Sequence, residues 1–435
     1  VWQPAAPSPT SAPCTEPRGC PAAEGCRRRQ SMADAAATPQ KSPEAYLDAV
    51  LRWCDERGVD RSAVAIEMRE GRGRCVVATR KCTKGERVLR VPGAASLSDA
   101  AGDGRANHVM LGLAHVLLKE VSKGDQSDFA PVVQLLTEET KYPFYPDELV
   151  KLPGSAGAFA QVRADRNSQF IDKLCSVHPG MKRILAGRAV EAVNTRAIYC
   201  EKRKVCALVP VFDLINHDPH PAAMWSMQDD RSVDVVALRD LQPGDEVTIS
   251  YGDEPAAELF IAYGFLPNGP GPHRSVDLRV SLHPPELQRY GTNASATIRV
   301  LANGALRNRA AVGPLLTAAR QFLEQEPKDA TGPRPHEALV ARALSRCAKA
   351  EQTAWLRVLA DAKDRSTTAP LAELCAECLL ELASRVEAWL AGPREDSLMN
   401  VLAAAPAPKA GDDGDSTSNS ESGSESDTPG PDGAE

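Results

Sequence analysis

Val209-Pro-Val-Phe-Asp-Leu-Ile-Asn-His217, followed by Asp245-Glu-Val-Thr-Ile-Ser-Tyr-Gly252 and then by Ala262-Tyr-Gly-Phe265, is the stretch whose reading decides this chain. Each piece alone is a weak signal. An Asn-His pair commonly caps a loop or sits in a core, and a Tyr-Gly at a strand end is usually a turn. Their order along one short stretch is what carries information. Val247, Ile249 and Tyr251 share a face by the two-residue period, so 246–251 reads as a strand. Upstream, Arg69-Glu-Gly-Arg-Gly-Arg-Cys-Val-Val-Ala78 and Lys84-Gly-Glu-Arg-Val-Leu-Arg-Val-Pro92 supply short Val-rich runs separated by Gly-containing turns. Strands are expected over 63–68, 74–79, 87–91 and 233–238.

Helical patterns lie around and between these runs. At the front, Ser42 can cap a helix whose first turn holds Pro43, with Tyr46, Leu47, Val50, Leu51 and Cys54 at helical spacing and Gly58 ending it. Residues 97–195 read as a largely helical insert. After Pro267-Asn-Gly-Pro270 the composition shifts, which marks a boundary. Segments 311–325 and 336–360 are helical, and so is the amphipathic run Leu371, Leu374, Cys378, Leu382, Val386, Trp389, stopped by Gly392-Pro393. The division expected is a leader over 1–41, a first sheet portion over 42–96, the insert 97–195, a second sheet portion over 196–270, a helical domain over 275–395 and a tail over 403–435. Residue 1 is Val, and Met32-Ala-Asp-Ala-Ala reads as an initiator, the segment before it as translated leader or as a transit-peptide remnant.

Composition narrows the function classes. The chain has 435 residues, enough for two or three domains with cores of their own. Lys plus Arg number 51 and Asp plus Glu 58, a net charge of −7. Residues 403–435 alone carry eight acids and one lysine, so the remainder is formally neutral and offers no basic field for nucleic acid. That tail, Ser, Gly and acid with almost nothing apolar, is expected to be disordered. The 12 cysteines lack the paired spacings of a secreted framework or a zinc site, which suits free thiols in a reducing compartment. Cys375-Ala-Glu-Cys378 is a lone pair inside a helical pattern, so no metal is expected. No apolar run approaches the roughly 18 residues that cross a bilayer.

Taken together, the quoted segments resemble the two signature segments of SET-domain protein methyltransferases. Phe129-Ala-Pro-Val-Val-Gln-Leu-Leu136 through Leu152-Pro-Gly-Ser155 is similar to the inserted subdomain of the branch that holds Rubisco large-subunit methyltransferase and the actin-histidine methyltransferases. The resemblance implies an α+β fold: small β-sheets with a pseudoknot, a helical insert and a C-terminal α-helical substrate-binding domain. It also implies S-adenosylmethionine as cofactor and a protein as substrate. Glu70, Gly71 and Arg72 match the turn whose backbone grips the cofactor, with Arg72 and Arg74 standing where the family often has small or apolar residues. Arg196 matches an arginine near the cofactor and the substrate entry, Asn216 and His217 the pair that fixes the cofactor, and Tyr263 a second aromatic beside it. Tyr251 matches the catalytic tyrosine; an ordinary pKa near 10 makes it a positioner before a strong base.

Phe212 and Asp213 match the substrate side. Trp225 stands where relatives often have a tyrosine, and an indole donates but cannot accept. In the histidine-modifying relatives an Asn two residues after the entry arginine can bond the imidazole; here that place is Ile198, and Phe212 replaces their Trp. A slender lysine stem suits Ile198 and Phe212 better than an imidazole does. The expectation is therefore a monomeric protein-lysine N-methyltransferase acting on a non-histone protein, cytoplasmic, with plastid or nucleus as alternative compartments. Histidine methylation and a non-catalytic SET-fold binding module are the other readings.

Overall fold

A computed structural model describes residues 43–99, 106–140, 148–267, 273–282, 294–325, 334–361, 368–393 and 395–403. Met32, Ser42, the leader and the acidic tail lie outside them. The first helix, α1 (Pro43–Glu56), buries Val50, Trp53 and Cys54 and ends before Gly58, whose φ of 73° is left-handed. Trp53 ties it down: the indole Nε1 donates to the Asp128 carbonyl at 2.8 Å and the ring packs 5.5 Å from Phe129.

Strands β1 (Val64–Arg69) and β2 (Gly73–Ala78) form an antiparallel hairpin with Arg69 opposite Gly73. The three-residue connection Glu70-Gly71-Arg72 takes φ of +70° at Gly71, a conformation that costs a side chain about 1–2 kcal/mol and glycine nothing. β3 (Arg87–Val91) and β4 (Leu97–Asp99) follow, then four helices: α2 (Ala106–Lys123), α3 (Ala130–Glu139), α4 (Gly154–Val177) and α5 (Arg183–Arg196). The chain returns through β5 (Ile198–Cys200), β6 (Val205–Leu208), β7 (Asn216–His217), β8 (Ala223–Met227), β9 (Val233–Ala237) and β10 (Thr248–Ile249) to α6 (Ala256–Tyr263). The sheets run β3-β9-β8 and β4-β6-β5, both antiparallel, beside the parallel pair β7-β10.

The strand expected over 246–251 is in fact two residues long. Val247 donates to the Val76 carbonyl at 2.8 Å, so the segment begins as a neighbour of β2. Thr248 and Ile249 then pair in parallel with Asn216 and His217. Val247, Thr248 and Ile249 are all buried, not alternately so. A run that divides its partners between two segments is enclosed on both faces, and a two-residue period does not describe it.

The C-terminal part is not purely helical. It opens with an antiparallel hairpin, β11 (Ser275–Ser281) against β12 (Ser295–Leu301), whose Val276, Leu278, Val280, Ile298 and Val300 bury one face. Helices Gly313–Gln325, Pro335–Asp361 and Ala369–Ala391 cover that face, with Trp355 fully buried between them. The chain beyond 395 belongs to the same core: Leu398 and Leu402 are fully buried, and the Leu398 N–H donates to Glu337 Oε2 at 2.6 Å.

Two hydrophobic clusters organise the described residues, and the insert serves both. Ile171 and Leu174 near the end of α4 pack into the first cluster, while Ala156 and Ala160 near its start pack into the second with Leu149, Leu152 and α6. At ~1.5 Å of rise per residue a 24-residue helix is long enough to reach from one core to the other. No described helix is long and apolar enough to cross a membrane.

Candidate functional site

The turn into the site is strained. Val211, β-branched and almost fully buried, has φ 69° and ψ −45°, a conformation costing on the order of 1–3 kcal/mol that persists only where the surroundings impose it. Bonds from the Asp213 N–H to the Val209 carbonyl (3.1 Å) and from Leu214 to Val211 (3.2 Å) impose it here. The result is a one-turn 3-10 helix, Phe212–Leu214, that sets Asp213 between two cavities and Phe212 in the wall of the smaller one.

Asn216 holds three segments together. Its Nδ2 donates to the Arg74 carbonyl and to Glu246 Oε1, both at 2.9 Å, while Arg72 Nε meets Glu246 Oε2 at 2.8 Å. Glu246 thus clamps the Glu70-Gly71-Arg72 turn onto the Asn-His segment and neutralises Arg72, the cation that looked out of place in the sequence. Nothing in the sequence pattern singles out Glu246 for this role, because it sits in a run that reads as plain strand.

His217 accepts the Tyr251 N–H at its Nδ1 (3.1 Å), which puts its proton on Nε2; that atom is buried with no partner among the described residues. Burial and the neighbouring His273, whose ring centroid is 4.9 Å away, push His217 down to about 4, so it is neutral near pH 7. Tyr251 donates its hydroxyl to the Ile215 carbonyl at 2.7 Å, and its ring stands 4.9 Å from Tyr263 and 5.4 Å from His217. Burial first, then Tyr263, raises the Tyr251 hydroxyl well above its ordinary pKa, a correction to the unshifted value expected for it. Asp213 is paired with Arg196 at 3.2 Å, and its burial nonetheless raises its pKa above the ordinary value.

These groups border two adjoining spaces. The larger, about 1010 Å³, is lined by Gly71, Arg72, Arg74, Asn216, His217 and Phe265, among others. The smaller, about 190 Å³, is walled by Ile198, Phe212, Trp225 and Ile249. Arg196, Asp213, Tyr251 and Tyr263 line both. Trp225 packs edge-on against Phe212, centroids 5.7 Å apart. The fold therefore gathers Gly71, Arg72, Arg196, Asn216, His217, Tyr251, Tyr263, Ile198, Phe212, Asp213 and Trp225 around one pair of cavities. Glu70 is the exception: it is exposed in the turn and lines neither. Glu191 and Thr195 also line the larger space and were not expected there.

Residues 73–252 match the family model of the SET domain. Among curated proteins, the chain is 25% identical over 190 residues to the ribosomal lysine N-methyltransferase set10 of Schizosaccharomyces pombe, covering 40% of this chain and 34% of that one. It is 26% identical over 282 residues to the actin-histidine N-methyltransferase of Drosophila melanogaster, covering 55% and 52%. The chain thus spans between a third and about half the length of these relatives. Among solved structures it superposes on the SET domain of LSMT bound to lysine and AdoHcy with a TM-score of 0.59 at 17% identity, over 80% of this chain and 92% of that one. Rubisco LSMT bound to AdoMet gives 0.57 at 18%, over 79% and 92%. The match to the SET-domain model thus spans residues 73–252, within a fold the chain shares with Rubisco LSMT.

Proposed function

We propose that this protein is an S-adenosylmethionine-dependent protein-lysine N-methyltransferase acting as a monomer on a non-histone protein. The observation that carries the reading is the meeting at Tyr251 of a large cavity and a narrow one whose wall includes Ile198, Phe212, Trp225 and Ile249. The larger cavity fits the cofactor. At about 1010 Å³ it has room, its rim at Gly71 leaves the backbone open with no atom within 4 Å of where a Cβ would stand, and the orphan Nε2 of His217 offers an unused donor. Gly71, Arg72, Asn216, His217 and Tyr263 would hold it. Bound there, S-adenosylmethionine supplies a methyl carbon on a positively charged sulfur.

The chain's own groups do the rest by position. The narrow cavity, with Ile198 and Phe212 almost fully buried in its wall, suits the aliphatic stem of a lysine and strips water from its amine. Desolvation lowers an amine's pKa from about 10.4 toward the neutral, nucleophilic form. Tyr251 spends its proton on the Ile215 carbonyl, which leaves oxygen lone pairs toward the junction. With its pKa raised it stays protonated, so it orients the reacting groups without serving as base. Trp225 lines the channel without an acceptor to offer the amine. The helices after the SET portion would hold the protein substrate.

Histidine as acceptor is the second reading, favoured by the relatives named actin-histidine N-methyltransferase. Against it stands Ile198, which leaves an entering imidazole short of a partner in the narrow cavity, at about 1–3 kcal/mol for a buried unpaired group. The test incubates purified protein with labelled S-adenosylmethionine and a lysate, then locates the methyl group by site-resolved mass spectrometry. Methylation only at histidine overturns the lysine assignment. Cofactor binding by calorimetry without any labelled protein would leave a binding module.

A further inference from the structure

Glu191 lies on α5, buried almost completely, at the wall of the larger cavity. A hydrogen-bond relay between α4 and α5 fixes how its two oxygens are used. Arg166 NH2 donates to Asn194 Oδ1 at 3.3 Å, Asn194 Nδ2 donates to Asn167 Oδ1 at 3.0 Å, and Asn167 Nδ2 donates to Glu191 Oε1 at 2.7 Å. Each amide is oriented by the one before it. Oε1 is therefore committed, and Oε2 has no hydrogen bond among the described residues. The negative charge has a counterion, Arg163, whose NH2 stands 3.7 Å from Oε2 and donates to the Ala262 carbonyl, next to Tyr263, at 3.3 Å; burial still outweighs it and raises the Glu191 carboxyl above its ordinary pKa.

A buried carboxylate oxygen that has a counterion but an unused acceptor is costly unless something in the adjoining space donates to it. Arg163 and Asn167 explain the carboxylate's charge and its Oε1, and leave the acceptor capacity of Oε2 to be explained. We propose that Glu191 is a further ligand-binding residue of the larger cavity, its Oε2 accepting a hydrogen bond from a hydroxyl or amino group that S-adenosylmethionine and S-adenosylhomocysteine have in common. This rests on the cofactor reading above. Because Arg163 already stands as the carboxylate's counterion, Glu191 reads a donor and not the sulfonium charge, so both ligands depend on it equally.

The test is calorimetric binding of S-adenosylmethionine and of S-adenosylhomocysteine to wild type, Glu191→Gln and the double variant Arg163→Met/Glu191→Gln, each with its melting temperature. In Glu191→Gln the amide carbonyl stays with Asn167 Nδ2, and the amide nitrogen takes the place of Oε2, so donor would face donor. Both ligands should then bind roughly tenfold or more weakly, by similar factors. A lower melting temperature with unchanged affinities would reduce Glu191 to a helix-pairing residue and overturn the proposal; so would a loss confined to S-adenosylmethionine. If the single variant does not fold because Arg163 is left uncompensated, the double variant removes that charge and must show the same loss, wild-type affinity in it being refutation. Wild type that binds neither ligand brings down the cofactor reading itself, whereas wild-type binding with unimpaired variants brings down only Glu191.

Discussion

Replacing Asn216 by alanine removes the one amide that joins β2, the Asn-His segment and the run before Tyr251. Both protons of Nδ2 are in use, one on the neutral Arg74 carbonyl and one on the Glu246 carboxylate, each at 2.9 Å. A neutral bond contributes about 1 kcal/mol and one to a charged group about 1.5–3, so the variant should lose about 2.5–4 kcal/mol. Asn216→Asp keeps the shape but sets a second carboxylate against Glu246 and an oxygen against the Arg74 carbonyl, so it should be less stable than the alanine variant. Denaturant titration followed by intrinsic fluorescence measures both, the shift being read in the midpoint at constant slope. The clamp should also carry the cofactor turn with it, so calorimetric affinity for S-adenosylmethionine should vanish in either variant. An alanine variant within about 0.5 kcal/mol of wild type, the range of an ordinary surface change, would refute this account, as would an aspartate variant more stable than the alanine one.

Three further outcomes are expected. Tyr251→Phe, which loses only the bond to Ile215, should slow methyl transfer by about one or more powers of ten while cofactor affinity holds; a wild-type rate in single-turnover assays counts against Tyr251 as positioner. His217, at about 4 in the folded state against its ordinary 6.5, takes up its proton sooner when unfolded, so its contribution to stability rises with pH between those values and is constant above them. That contribution is on the order of 3 kcal/mol, and the difference between wild type and His217→Gln in melts from pH 4 to 7 isolates it; a difference that does not change with pH contradicts it. Gly71→Ala meets no atom within 4 Å and should cost only about 1–2 kcal/mol of backbone strain. At Gly304, φ +74°, a Cβ would stand 2.5 Å from the Glu381 backbone carbon, so Gly304→Ala should destabilise more, and equal melting temperatures would show the helix Ala369–Ala391 to be free to shift.

Local chemistry was legible wherever a residue's own preference decided the outcome. The Gly residues of the 70–74 turn, the Val-rich short strands, the Pro43 helix start and the amphipathic run ending at Gly392 each follow from backbone freedom or from a repeat of 2 or 3.6, which neighbours in sequence are sufficient to express. The order of the three quoted segments likewise pointed to the SET-domain model that residues 73–252 match.

What the sequence left undetermined depends on partners far along the chain. The hairpin β11–β12 alternates apolar and polar residues as clearly as any strand here, yet only the helices packed on it show which face is core. Val211 has the side chain least suited to a positive φ, and only burial and the bonds around it hold it there. Glu246 and Glu191 look like surface acids in sequence. The first becomes a clamp because Arg72 and Asn216, 174 and 30 positions away, converge on it; the second becomes a buried, half-used acceptor because α4 lays Arg163 and Asn167 against α5. A carboxylate's role is set by which donors and charges reach it and how much water is left around it, and those are properties of the packed fold that no local pattern encodes.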